Sequence, residues 1–299
     1  MQETNRRPDL VWTAEADDSL LAFLLRHVKG KSRNNIKSML ARGQISVDGR
    51  TATRFDHPVA VGSRVAVKAH VEEEVPGLPF PILYEDRDIL VIDKPAGLLT
   101  IANEKEKVRT AYHMLTDYVR QESKFGRVFV VHRLDRDTSG VVLFAKNEET
   151  KRAFQEDWDA RVLRRGYRAL VEGVPQPPEG EVRSFLRETR THLVYSGAPG
   201  RDAKEAVTLY RTLASGGGYA LLEIDLKTGR KNQIRVHMSD LGHPIAGDRQ
   251  YGARTRPLGR LCLHAHRLEL IDPRSGEKRV FAAREPAAFR RLCRGGARS

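Results

Sequence analysis

The strongest constraint on the fold is how the apolar residues are spaced. They arrive as many short runs rich in valine, isoleucine and leucine, among them ILVIDK, YRALVEGV, YALLEIDLKT and RLCLHAHRLELI. Helical spacing occurs only in isolated stretches, such as TAYHMLTDYVRQES, ETKRAFQEDWDAR and RKNQIRVHMSDLG. In the last of these Ile234, Met238 and Leu241 share one face before Gly242 ends the pattern. A parallel sheet needs a crossover between successive strands, usually a helix, and no regular strand-helix alternation is present. The pattern predicts an α+β fold on a mixed, largely antiparallel sheet. One hairpin is explicit: EAVTLYRTL and YALLEIDLKT flank the turn Ser215-Gly216-Gly217-Gly218.

The order of signals divides the chain. From about residue 17 to 70 it reads helix, helix, short sheet. Leu20, Leu21, Phe23 and Leu24 have helical spacing, and a second helix capped by Ser32 carries Ile36, Met39 and Leu40 until Gly43. QISVDGRTA then reads as a strand entering an Asp-Gly turn, and VAVGSRVAVKA as a second strand pair around a glycine. Residues 71–81, VEEEVPGLPFP, suit an extended linker. A larger domain covers 82–292, and the basic tail 293–299 is predicted to be disordered.

Lys and Arg number 52 against 39 acids, a formal net charge of +13. Such a surface favours a polyanion, because basic residues release counterions on meeting phosphates. No amphipathic or hydrophobic anchor accompanies the charge, and no run of about 18 apolar residues is present to span a membrane. The N-terminal segment lacks the apolar core of a secretory signal, so a cytoplasmic location is expected. Cys262 and Cys293 are the only cysteines and are read as free thiols. Nothing suggests more than a monomer.

One stretch concentrates charge between two apolar runs: VVHRLDRDTSGVVLFAK, residues 130–146. Asp135 lies between Arg133 and Arg136. It either braces a tight loop by accepting from the Thr138 and Ser139 amides, or serves chemistry as an ionised nucleophile or general base. Neighbouring arginines favour the ionised form. The loop by itself leaves both open.

Three segments in order change the weight. HRLDRDTSG resembles the signature loop of the RluA-type pseudouridine synthases, RGYRALVEG resembles their second motif, and GRKNQIRVHMSDLGHPIAGDRQYG their third. With GLLT upstream and LCLHAHRLEL downstream the resemblance spans about 82–272. It implies that Asp135 is the catalytic aspartate, that Tyr167 lies against the target base, and that Arg235 pairs with the aspartate across the cleft. On a helix Arg235 points about 100° away from Ile234 and so can reach a cleft. It further implies RNA as partner, isomerisation of uridine to pseudouridine, and no cofactor. Arg133 is the candidate wedge or phosphate clamp. The segment 17–70 resembles the S4 RNA-binding domain at Ser32, Arg33, Leu40, Gly43, Ile45, Val47 and Gly49, which puts Lys31, Ser32, Arg33, Lys37 and Arg42 on an RNA backbone. Relatives with this domain arrangement make ribosomal RNA of the large subunit the favoured substrate over transfer RNA. Where many relatives carry Thr-His-Gln this chain has Lys231-Asn232-Gln233, which implies altered RNA contacts or altered support behind the site and not lost activity.

Two rivals follow from the same residues. A non-catalytic RNA-binding or ribosome-assembly factor could keep the fold, though Asp135, Tyr167 and Arg235 are all present. A sugar-bond hydrolase could use Asp135 with a second acid, Asp137 being nearest, but this leaves the third motif unexplained. Cys262, His264 and His266 alternate along one strand and have metal-ligand chemistry. The resemblance makes that strand structural, and no metal is expected.

Overall fold

The apolar runs become strands. The computed structural model describes residues 10–28, 33–41, 43–67, 73–74, 78–104, 106–123 and 125–294. The chain divides into two units, residues 1–90 and 91–299.

The smaller unit contains β1 (Leu10–Thr13), β2 (Asp18–Ser19), α1 (Leu20–His27), α2 (Arg33–Ala41), β3 (Ile45–Val47), β4 (Arg50–Thr51), β5 (Pro58–Val59) and β6 (Arg64–Val67). Ser19 caps α1 by accepting from the Ala22 amide. Leu20, Phe23 and Leu24 of α1 pack with Ile36 and Leu40 of α2 against Ile45, Val47 and Val65. Asp48 and Gly49 both have positive φ, 51° and 79°, as the tight β3–β4 hairpin requires. The four-stranded sheet runs β1-β6-β3-β4, and β2 pairs with β5 separately. This corrects the expectation that VAVGSRVAVKA, residues 59–69, forms one strand pair around Gly62. The turn between β5 and β6 is captured by Ala14, whose amide donates to the Ser63 carbonyl and whose carbonyl accepts from Gly62. The two strands therefore leave for different sheets. β1 carried no recognised signal because its partner β6 lies about fifty residues away. In the segment expected as linker, β7 (Glu73–Glu74) pairs with β8 (Pro81–Glu85).

The larger unit follows from β9 (Ile89–Lys94) through α3 (Ala111–Glu122), β10 (Phe129–Val130), β11 (Ser139–Ala145), α4 (Glu148–Glu156), α5 (Trp158–Arg161) and β12 (Val162–Glu172). It continues with β13 (Glu179–Glu188), β14 (Val194–Gly197), β15 (Lys204–Gly216), β16 (Tyr219–Leu226), α6 (Gln233–Asp240), β17 (Leu263–Ile271), β18 (Lys278–Ala282) and α7 (Ala287–Arg294). The strand order is β14-β13-β15-β16-β12-β17-β11-β9, with β10 on β11 and β18 on β17. The pairs are antiparallel along β14 to β17, while β11 and β17 run parallel. This is the α+β mixed sheet expected from the spacing.

Leu170, Leu221, Leu222 and Ile224 of the sheet meet Ile234 and Met238 of α6 and Phe289 and Cys293 of α7 in one core cluster. Cys293 and Arg294 thus end a helix instead of opening a disordered tail, because Cys293 is buried against the sheet; the rest of that tail lies outside the described residues. Both cysteines are free and buried. No described helix is long and apolar enough to cross a membrane.

Candidate active site

The charged loop of residues 131–138 links β10 to β11 and is fixed through its backbone. Thr100 Oγ1 donates to the Leu134 carbonyl at 2.8 Å and accepts from the Leu134 amide at 3.2 Å. The Arg136 carbonyl accepts from the Gly97 amide at 2.8 Å and from Lys94 Nζ at 3.1 Å. Asp135 sits between these two anchored residues. Its backbone carbonyl, not its carboxylate, accepts from the Thr138 amide at 3.2 Å. The carboxylate has no hydrogen-bond partner among the described residues, so the loop-bracing alternative does not hold.

Downstream, Gly140 is required where β11 meets β17. A Cβ there would lie 2.1 Å from the Ala265 carbonyl oxygen, and φ is +114°. That close approach sets where the loop ends.

Tyr167 lies on the central strand β12, opposite Ile224 of β16 and Ala265 of β17, at a register irregularity after Gly166. Such a bulge turns a side chain relative to the regular pleat. Burial pushes the Tyr167 phenol up to about 12, with Arg165 pulling it down. At neutral pH it is therefore a protonated donor with a flat apolar ring.

α6 supplies the third group. Gln233 is 2 % exposed and spends its whole amide: Oε1 accepts from Thr228 and the Arg230 amide, and Nε2 donates to Val207 O and Thr208 Oγ1. Asn232, before it, has φ 55° and ψ 14°, a left-handed conformation that asparagine tolerates better than most residues. Its side chain donates to Tyr251 Oη at 3.1 Å and accepts from Arg235 Nη1 at 3.0 Å.

Arg235 does not form the expected direct pair with Asp135. Its guanidinium grips Asp248, Nε and Nη2 each donating at 2.7 Å to one carboxylate oxygen, and stacks 4.7 Å above the Tyr251 ring. Asp248 is 2 % exposed, and a desolvated carboxylate takes the bidentate fork available to it. Burial opposes the Arg235 charge, but the Asp248 bonds outweigh it and Asp135 adds attraction through space.

Asp135, Tyr167 and Arg235 nevertheless line one cleft of about 480 Å³, together with His132, Arg133, Trp158, Arg165, Arg230, Lys231 and Asn232. Arg133 is exposed at it, without a partner among the described residues. Asp137 is not among the lining residues: it pairs with Arg136 at 3.3 Å, which removes the second acid of the hydrolase reading. Arg33 and Lys37 are exposed on α2, Lys37 lying 4.9 Å over the Phe55 ring. Lys31, Ser32 and Arg42 fall outside the described residues.

Several site residues carried a weaker signal. Lys94 is fully buried at the end of an apolar strand and donates to the Pro95, Leu98 and Arg136 carbonyls. Burial lowers its ammonium to about 8, against upward pulls from Asp135 and Asp137. A lysine closing the run ILVIDK was the available cue. His132 accepts from the Leu143 amide at 3.0 Å and is held neutral, burial taking it down to about 4. Asp248 and Tyr251 lie too far beyond Arg235 for any helical period to connect them. Among the described residues no cluster of three or more His, Cys, Asp or Glu could hold a metal. The Nδ1 atoms of His264 and His266 contact Ser139 and the Ala283 carbonyl.

A family model described as RNA pseudouridylate synthase matches residues 88–240. An uncharacterized RNA pseudouridine synthase of Bacillus subtilis (strain 168) is 31 % identical over 301 residues, covering 98 % of this chain and 99 % of that one. The ribosomal large subunit pseudouridine synthase D of Nitrosomonas europaea is 35 % identical over 267 residues, covering 82 % and 75 %. Among solved structures, human RNA pseudouridylate synthase domain containing 4 superposes with a TM-score of 0.58 at 28 % identity, over 71 % of this chain and 90 % of that one. Matching half the chain by the family model, and nearly its full length by a relative above 30 % identity, places this protein in the RNA pseudouridine synthase family.

Proposed function

We propose that the enzyme isomerises specific uridines of large-subunit ribosomal RNA, with Asp135, Tyr167 and Arg235 as the reacting constellation. The observation that carries this is their convergence on one cleft, joined to the similarity to the large-subunit enzyme above. The reaction breaks the N1–C1′ bond, turns the uracil, bonds C5 to C1′, and loses the C5 proton to solvent while N1 takes one up, with no change of oxidation state. A carboxylate without a local donor has its lone pairs available for C1′ or for the C2′ proton, and both routes remain consistent with the cleft. Tyr167 offers its ring face to the uracil and a hydroxyl proton to an oxygen acceptor. Arg235, locked on Asp248, provides a fixed positive charge beside Asp135.

A stacked base cannot enter such a cleft, so the uridine is extruded at a cost of a few kcal/mol, with Arg133 filling or clamping the space it leaves. The smaller unit is an S4-like module whose α2, through Arg33 and Lys37, follows the backbone. Lys31, Ser32 and Arg42 are assigned to RNA binding from the sequence resemblance alone. The protein acts as a cytoplasmic monomer. The test is tritium release from a [5-³H]uridine-labelled large-subunit transcript. Wild type should release tritium and Asp135→Asn should not; equal release by both would remove Asp135 from the mechanism.

A further inference from the structure

A second cleft, of about 460 Å³, lies on the other side of the catalytic loop. Its lining includes Gly97, Arg136, Arg235, Arg249, Arg256 and Arg260. Residues 132–135 and Thr138 line the first cleft and 136–137 the second, while Arg235 lines both. The loop carrying Asp135 is therefore the wall between them.

The charge in this second cleft is unbalanced. Five arginines line it against two aspartates, Asp137 and Asp248. Asp248 is consumed by both forks of Arg235, and Asp137 faces Arg136. Arg249 and Arg256 are exposed and have no side-chain partner among the described residues. Arg260 donates only to the Ser139 hydroxyl and the Leu261 carbonyl. Burial lowers its pKa, with Cys262 and Asp93 pulling weakly the other way. Two exposed guanidiniums without a counter-ion among the described residues, with Arg260 lining the same concavity and open space at Gly97 and Gly259, form a site for a tetrahedral anion.

We propose that this second cleft binds a backbone phosphodiester of the nucleotide adjoining the target uridine, through Arg249, Arg256 and Arg260. The inference rests on the RNA-isomerase reading above and names how that substrate is held. With the target sugar at Asp135, the strand must leave the first cleft over the loop, and the next phosphate meets the arginines at once. Anchoring it there fixes the extruded nucleotide from outside the base pocket.

The experiment uses the full-length protein and an unmodified large-subunit ribosomal RNA transcript. Binding is measured over a series of salt concentrations, and initial rates by tritium release. For Arg249→Ala/Arg256→Ala, KM should rise about tenfold or more with kcat changed less than about threefold, since the two arginines hold the phosphate equally in ground and transition state. The slope of log K against log salt should fall by about one, since the one phosphate no longer neutralised removes roughly 0.7–0.9. Arg249→Lys/Arg256→Lys keeps the charge and should restore most of the slope. Arg190→Ala, in the exposed β13–β14 turn, should change none of these.

Unchanged KM and slope in the double alanine variant would overturn the proposal. So would a fall in kcat alone, which would indicate damage to the loop. If inorganic phosphate, at constant ionic strength, bound wild type and not the double variant yet left RNA affinity untouched, the cleft would belong to a free anion. A wild-type protein that released no tritium would count against the isomerase reading itself, and the salt slopes would still decide whether the cleft binds RNA.

Discussion

Around Asp135 the fixed groups are backbone ones, since Thr100 holds Leu134 and both Gly97 and Lys94 hold the Arg136 carbonyl. Asp135→Asn should therefore keep the fold and its melting temperature while lowering kcat by about 10³-fold or more, the scale on which loss of a reacting group registers. A matching fall in melting temperature would indicate a bracing role. Arg235 is supported differently, by a buried carboxylate. Asp248→Ala strands a mostly buried guanidinium and should cost about 3 kcal/mol, read by denaturant unfolding, along with activity. Asp248→Asn keeps one acceptor and should lose less of both. Histidines set the acid limit. Burial holds His132 down to about 4 and His264 to about 3, against about 6.5 in the unfolded chain. Between those values the unfolded state binds the extra protons, so stability is full above pH 6.5 and declines as pH falls toward 4. His132→Gln should remove one proton from that dependence, about 1.4 kcal/mol per pH unit, measured as stability at pH 7 and 5.

At the scale of elements, what could be read in advance follows from how locally each structure is determined. The β15–β16 hairpin and α6 were legible because their turn glycines and apolar spacing lie within the elements themselves. The pairing of β1 with β6 and the separation of β5 from β6 were not, because both depend on Ala14 capturing a distant turn. The site divides the same way. Asp135, Tyr167 and Arg235 stand in recognisable segments, whereas the Asp248 grip on Arg235 arises only when the chain after α6 folds back. Gly140 joins the two levels: it belongs to the loop motif, yet its necessity comes from β17 pressing on it. Gly140→Ala must displace the backbone at Ala265, costing about 3 kcal/mol or more. It should also lower kcat by moving Asp135, which thermal melts and single-turnover rates would both register.

Across the whole molecule, the excess of 52 basic over 39 acidic residues would, on the proposed function, serve at least two surfaces, the two clefts beside the Asp135 loop and α2 of the smaller unit. Their contributions should separate. Arg33→Ala/Lys37→Ala should weaken RNA binding and lower the salt slope by about one to two, while kcat at saturating RNA stays as in wild type. A loss of kcat without a change of slope would place these residues outside RNA binding. The decisive measurement compares ribosomal RNA from cells carrying the wild-type gene, no gene, or only the Asp135→Asn form, with pseudouridines mapped by carbodiimide-dependent reverse-transcription stops. One or a few large-subunit stops should vanish in both altered strains. Persistence of every stop in both, with ribosome assembly impaired only in the deletion, would contradict catalysis on this RNA and favour a binding factor.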